Sequence, residues 1–121
     1  MQGITWEKFL SDLEESKDMY GNFENIPPAD SVLDKVRSIF EGHRSDTPLP
    51  IPFPTLDGCL FLEWHDNDVD VSLEINADGT RGVWCCVNFR TNEDETFDIE
   101  MDETGWQTVM NKLNSFPFTK T

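Results

Sequence analysis

Cys86, His65 and Glu63 are the residue types of a nucleophilic site: a thiol to attack, an imidazole to take its proton and a carboxylate to orient the ring. Strand alternation would put the three on one face, but a shared face does not establish contact, and no activating helix terminus or oxyanion loop is readable around them. Asp66-Asn67-Asp68-Val69-Asp70 opens with the acidic spacing of an EF-hand calcium loop. The motif then fails, because Val71 stands where the turn glycine belongs and Ala77 where the bidentate Glu belongs. His43 and His65 are the only histidines and no CxxC pair occurs, which disfavours zinc. Neither a phosphate-cradling glycine loop nor a GxSxG elbow is present. The expectation is a non-enzymatic protein with no cofactor. A metal-dependent or thiol enzyme using the Asp66 to Asp70 loop or Cys86 is the alternative from another class.

Carboxylates are the abundant chemistry. The 121 residues hold 24 Asp plus Glu against 9 Lys plus Arg, a formal charge of −15. They are unevenly spread: residues 57–103 contain 14 acidic and 2 basic residues, and the rest contains 10 and 7. Such a balance opposes direct binding to nucleic-acid phosphates or anionic lipid, since both require basic patches. No stretch approaches the roughly 20 apolar residues of a membrane span, and the N-terminus has no signal-peptide pattern, so a cytoplasmic location is expected. Cys59, Cys85 and Cys86 give an odd count, which fits reduced thiols better than a disulfide framework. Four Trp, nine Phe and one Tyr supply packing units large enough for a folded core.

These residues need elements to hold them, and the hydrophobic period supplies the elements. Trp6, Phe9, Leu10 and Leu13 recur at helical spacing after Thr5, an N-cap residue, predicting a helix over Thr5 to Ser16. Gly21 and Pro27-Pro28 interrupt; Asp30 then caps a second helix over Ser31 to Glu41 with Val32, Leu33, Val36, Ile39 and Phe40 on its stripe. Pro48, Pro50, Pro52 and Pro54 alternate with Leu49, Ile51, Phe53 and Thr55, which predicts an unpaired, polyproline-like connector strapped along the core. From Asp57-Gly58 the period becomes two, and strands are expected over Cys59 to His65, Asp68 to Asn76, Gly82 to Phe89 and Thr96 to Asp102. Asp78-Gly79 and Thr91-Asn92-Glu93-Asp94 mark turns, and Thr104 caps a last helix that Pro117 ends. The result is a single α+β domain over residues 1–121. It has a helical part (1–47), a Pro-rich connector (48–56), an acidic four-stranded antiparallel meander (57–103) and a C-terminal helix (104–117), in the order ααββββα with helices on one face.

Alternation sorts Leu60, Leu62 and Trp64, Val69 to Ile75 by twos, and Phe97, Ile99 and Met101 toward the helices. On the third strand Val83, Cys85, Val87 and Phe89 are taken as the inner row, leaving Trp84, Cys86 and Asn88 outside. The open face should then carry Phe61, Glu63, Asp68, Asp70, Glu74, Trp84, Asp98, Glu100 and Asp102: aromatic near its middle and negative around it, as many protein interfaces are. A solvated sheet face must be polar in any case, and solubility alone would explain acids there. Interspersed Lys is missing, however, and like charges on adjacent strands would cost stability. Carboxylates at alternate positions, about 6.8 Å apart, could also mimic a nucleic-acid backbone toward a basic groove.

The pieces Pro50-Ile51-Pro52, Asp57-Gly58, Leu62-Glu63-Trp64-His65, Leu73-Glu74-Ile75 and Asp78-Gly79, in that order, resemble small bacterial proteins of unassigned function. Cys59 stands where that pattern has a second glycine. The resemblance implies a bacterial or phage source and supplies no catalytic residue. In size and charge the chain is also similar to phage-encoded inhibitors of host defence, including anti-CRISPR proteins and DNA mimics. The acidic open face centred on Trp84 itself leads to the expectation of an inhibitor, antitoxin or immunity protein, monomeric or homodimeric, that occupies a basic site on a partner. Its partner would be a basic protein such as a nucleic-acid-binding effector or a toxin. A structural, self-assembling domain is the remaining alternative.

Overall fold

The computed structural model describes residues 4–16, 28–43, 47–55 and 57–116. The expected breaks at Gly21 and Pro27 and the stop at Pro117 lie outside them. The described chain is an α+β layer pair: α1 (Trp6–Glu15), α2 (Asp30–Glu41), β1 (Ile51–Pro54), β2 (Leu60–His65), β3 (Val69–Ile75), β4 (Arg81–Asn88), β5 (Glu93–Glu100) and α3 (Glu103–Asn114). All neighbours are antiparallel and the spatial order follows the chain, β1-β2-β3-β4-β5. The sheet therefore has five strands, one more than the sequence predicts, in the order ααβββββα.

The added strand comes from the proline run. Ile51 to Pro54 pairs antiparallel with β2, Pro52 opposite Leu62 and Pro54 opposite Leu60. The Thr55 amide donates to the Cys59 carbonyl at 3.0 Å, which makes the 55/59 pair a hydrogen-bonded one. Such pairs alternate along a ladder, so Phe53 and Ile51 bond to β2 while Pro52 and Pro54 aim their donor-less nitrogens away from the sheet. Prolines spaced by two thus leave one side of the strand free to pair, and the segment is an edge strand instead of an unpaired connector. Just upstream the strapping expectation holds: Leu49 is buried, and the Trp64 indole Nε1–H donates to the Pro48 carbonyl at 3.0 Å.

Helix starts follow capping chemistry with two corrections. Thr5 accepts from the Lys8 amide, as expected. The N-cap of α2 is Ala29, with no side-chain bond, and Asp30 sits in the first turn, where its charge still opposes the dipole favourably. The cap of α3 is Asp102, whose carboxylate accepts the Gly105 amide at 2.8 Å; Thr104 is the second residue of the helix. β5 begins at Glu93, earlier than expected, because Asn92 takes a left-handed φ of 59° and closes the turn within four residues.

All three helices bury their stripes against the same sheet face. Phe40 joins the layers: its ring centroid lies 5.5 Å from Phe9 of α1, 6.2 Å from Trp64 of β2 and 6.1 Å from Trp106 of α3, the last edge-to-face. Leu60, Leu62, Val71, Leu73 and Ile75 complete a single apolar cluster with Val36, Val109 and Leu113.

Candidate functional site

The face of β4 is the reverse of the expected one. Trp84 is 0 % exposed, and Gly82 and Cys86 are buried beside it on the helix side. Trp84 pairs with Leu73 and Phe97, and Cys86 with Val71, all inner residues. Cross-strand partners share a face, so Val83, Cys85 and Val87 point outward. Both rows of β4 contain apolar residues, and the indole, the largest apolar body available, takes the core and stacks on Phe97 at 6.2 Å. The signal that could have found this is loop length. Ile75 is inner, and the hairpin places Gly82 opposite it, so the even-numbered residues of β4 go inward.

Of the expected surface residues, the structure brings Phe61, Glu63, Asp70, Glu74, Asp98 and Glu100 together on the open face of the sheet. Asp68 lies in the β2–β3 turn, where its carbonyl accepts the Phe89 amide and its amide donates to the Asp66 carboxylate. Asp66 and Asp68 are thus tied into turn geometry. Asp102 has left the face to cap α3. Trp84 is in the core.

The register shows how the face is built. One row across the strands reads Phe53, Phe61, Glu74, Val83, Asp98; the next reads Ile51, Glu63, Ser72, Cys85, Thr96; the third reads His65, Asp70, Val87, Asp94. An apolar row on β4 therefore separates carboxylates on β3 from carboxylates on β5. Like charges therefore do not stand directly opposite one another: those on β3 and β5 are two strand spacings apart, about 9.5 Å, while Glu63 on β2 is diagonal to Asp70 and Glu74 on β3, with His65 between it and Asp70. Val87 is 41 % exposed, and Phe89, just past the strand end, 54 %. On the other flank Phe53, 39 % exposed, pairs directly with Phe61. Among the described residues of the sheet the basic side chains are Arg81, at one corner opposite Glu100, and His65.

His65 lies between two acids. Its Nδ1 is 2.9 Å from Asp70 Oδ1 and its Nε2 3.3 Å from Glu63 Oε2. The hydrogen bond to Asp70 raises its pKa above the usual value, opposed by partial burial and helped by Glu63. The candidate triad does not assemble, because Cys86 lies on the helix side and His65 and Glu63 on the other. Burial pushes the Cys86 thiol up, with the Glu95 charge adding to the effect, and burial followed by the Asp57 charge does the same to Cys59. A raised thiol pKa lowers the thiolate fraction. Among the described residues no three His, Cys, Asp or Glu side chains converge to hold a metal ion, and no helix is long and apolar enough to cross a membrane.

Fold and face together define an α+β domain that covers one side of an antiparallel meander with helices and leaves the other side acidic and partly apolar. Comparison with protein-family models, curated proteins and solved structures returns no match.

Proposed function

We propose that this protein is a non-enzymatic binding protein that occupies a basic surface on a partner protein, as an inhibitor, antitoxin or immunity protein does. The observation that carries the reading is the apolar row Val83, Cys85, Val87 on β4, flanked by Asp70 and Glu74 on one side and Asp94, Asp98 and Glu100 on the other. An apolar centre with a single-sign charged rim matches the chemistry of an interface core and rim. The carboxylates would speed encounter with a basic partner, and burial of Val83, Val87 and Phe89 would supply affinity. Solubility would be served by mixed charges, whereas this face has almost none of the opposite sign.

The test is a pull-down from source-cell lysate at low and high salt. It compares wild type with a D70N/E74Q/D98N/E100Q variant and a V83S/V87S variant, with cross-linking to locate the contact. The expected result is a salt-sensitive partner cross-linked near β4 and lost from both variants. A partner retained by both would remove the open face from the interaction.

A further inference from the structure

The two edges of the sheet are unlike. On β1, Pro52 and Pro54 aim nitrogens without hydrogens outward, so that edge lacks two of its donors. β5 is twice as long, eight residues against four, and contains no proline. The Met101 amide donates to the Thr80 carbonyl at 2.9 Å, continuing the β4–β5 ladder and fixing which residues bond inward. Counting by twos, Met101, Ile99, Phe97, Glu95 and Glu93 bond to β4, and Asp94, Thr96, Asp98 and Glu100 aim their backbone groups away from the sheet. The first turn of α3 closes over the Glu100 carbonyl, where a Cβ on Gly105 would stand 1.6 Å from the oxygen. Along Asp94, Thr96 and Asp98, among the described residues, no backbone or side-chain group answers the outward N–H and C=O groups.

The side chains decide what can pair there. Asp94, Thr96 and Asp98 project from the open face, while Phe97 and Ile99, half-buried, sit at the margin of the helix side. A second copy of β5 added antiparallel about Thr96 would set Asp94 against Asp98 twice over, and like charges directly opposite are destabilising. A strand with Lys or Arg at alternate positions meets Asp94 and Asp98 with opposite charge. Its intervening residues, if apolar, extend the cover over Phe97 and Ile99.

We propose that the Asp94 to Asp98 edge of β5 accepts an extended segment of alternating basic and apolar residues as a sixth, antiparallel strand. The proposal rests on the basic-partner reading above and deepens it by naming the mode of recognition: main-chain pairing for affinity and alternate side chains for specificity. Every hydrogen-bonded position of the added strand then carries its basic side chain on the open face, so its lysine amides point at β5 and its apolar residues' amides point away.

That asymmetry gives the experiment. Binding of an acetylated, amidated octapeptide of alternating Lys and Val is measured by calorimetry and by amide hydrogen exchange on the isotope-labelled protein, beside two versions N-methylated on every Lys or on every Val. The expected result is equal binding of the parent and Val-methylated peptides, with slowed exchange at Asp94, Thr96 and Asp98. Loss of the paired donors should weaken the Lys-methylated peptide about tenfold or more. Thr96→Pro, which removes an outward N–H and leaves the β4 ladder intact, should weaken the parent peptide similarly. If that variant does not fold, the methylated peptides on wild type decide alone. Equal binding of all three peptides with unchanged exchange would overturn strand addition and leave the basic-partner reading standing. No binding by any peptide at low salt would overturn the proposal, and the lysate pull-down would then decide the broader reading independently.

Discussion

At the scale of single residues, His65 carries the clearest pH signature. Its pKa is raised from 6.5 by the Asp70 hydrogen bond and by Glu63. A raised folded-state pKa means that the contacts stabilise fully below the unfolded value and that this contribution disappears as pH climbs through the folded value. The His65 ring-proton titration should therefore have its midpoint above 6.5 and shift down in Asp70→Asn. The denaturation midpoints of wild type and His65→Gln should differ most near pH 5.5 to 6 and converge at higher pH. Trp84 makes a second prediction. Truncation to Ala empties a fully buried site against Phe97 and Leu73 and should cost about 3–5 kcal/mol in denaturant unfolding. Trp84→Phe should cost less, because the indole N–H has no partner among the described residues and its removal leaves nothing there unsatisfied. A binding role for Trp84 is what the sequence suggested, since an aromatic among acids is a natural anchor. The indole's own size sends it to the other side, and periodicity is blind to that choice when both rows of a strand are apolar.

At the scale of elements, the junction of β5 and α3 is the tightest point. Gly105 packs its Cα against the Glu100 carbonyl, and Gly105→Ala should cost at least about 3 kcal/mol, since backbone atoms must move to admit the methyl group. Asp102→Ala, which only removes the cap bond to the Gly105 amide, should cost about 1 kcal/mol. Equal effects in chemical denaturation would show that capping, not close approach, governs this corner. Most elements were legible from the sequence because their residues alternate or recur cleanly: Val69 to Ile75 reads as a half-buried strand, and Phe9 and Leu13 as a helix stripe. β1 was not legible, because four alternate prolines look like a polyproline connector. The fact that rescues it as a strand, that Pro52 and Pro54 face away from β2, exists only once a neighbour is in place. The acidic content of the open face was legible as well, but its arrangement was not. That β4 holds carboxylates on β3 and β5 apart depends on register, which periodicity leaves free.

At the scale of the whole molecule, the charge of −15 with an excess of acids in the sheet region repels itself, and the screening length falls from about 30 Å at 0.01 M salt to about 10 Å at 0.1 M. Thermal unfolding should accordingly move up by a few degrees between those salt concentrations. The D70N/E74Q/D98N/E100Q variant should start higher at low salt and respond less. An unchanged melting temperature across that range would mean that the apolar row of β4 already keeps the carboxylates far enough apart. The unlike sheet edges have one more consequence, for valence. Edge-to-edge growth of a sheet needs two open ends per molecule, and among the described residues Pro52 and Pro54 leave one. A strand added to β5 grows the sheet on that side alone, so the molecule is expected to be a terminus and not a link, which predicts no edge-to-edge fibre growth through it. Titrations with a strand-forming ligand should then saturate at one per chain.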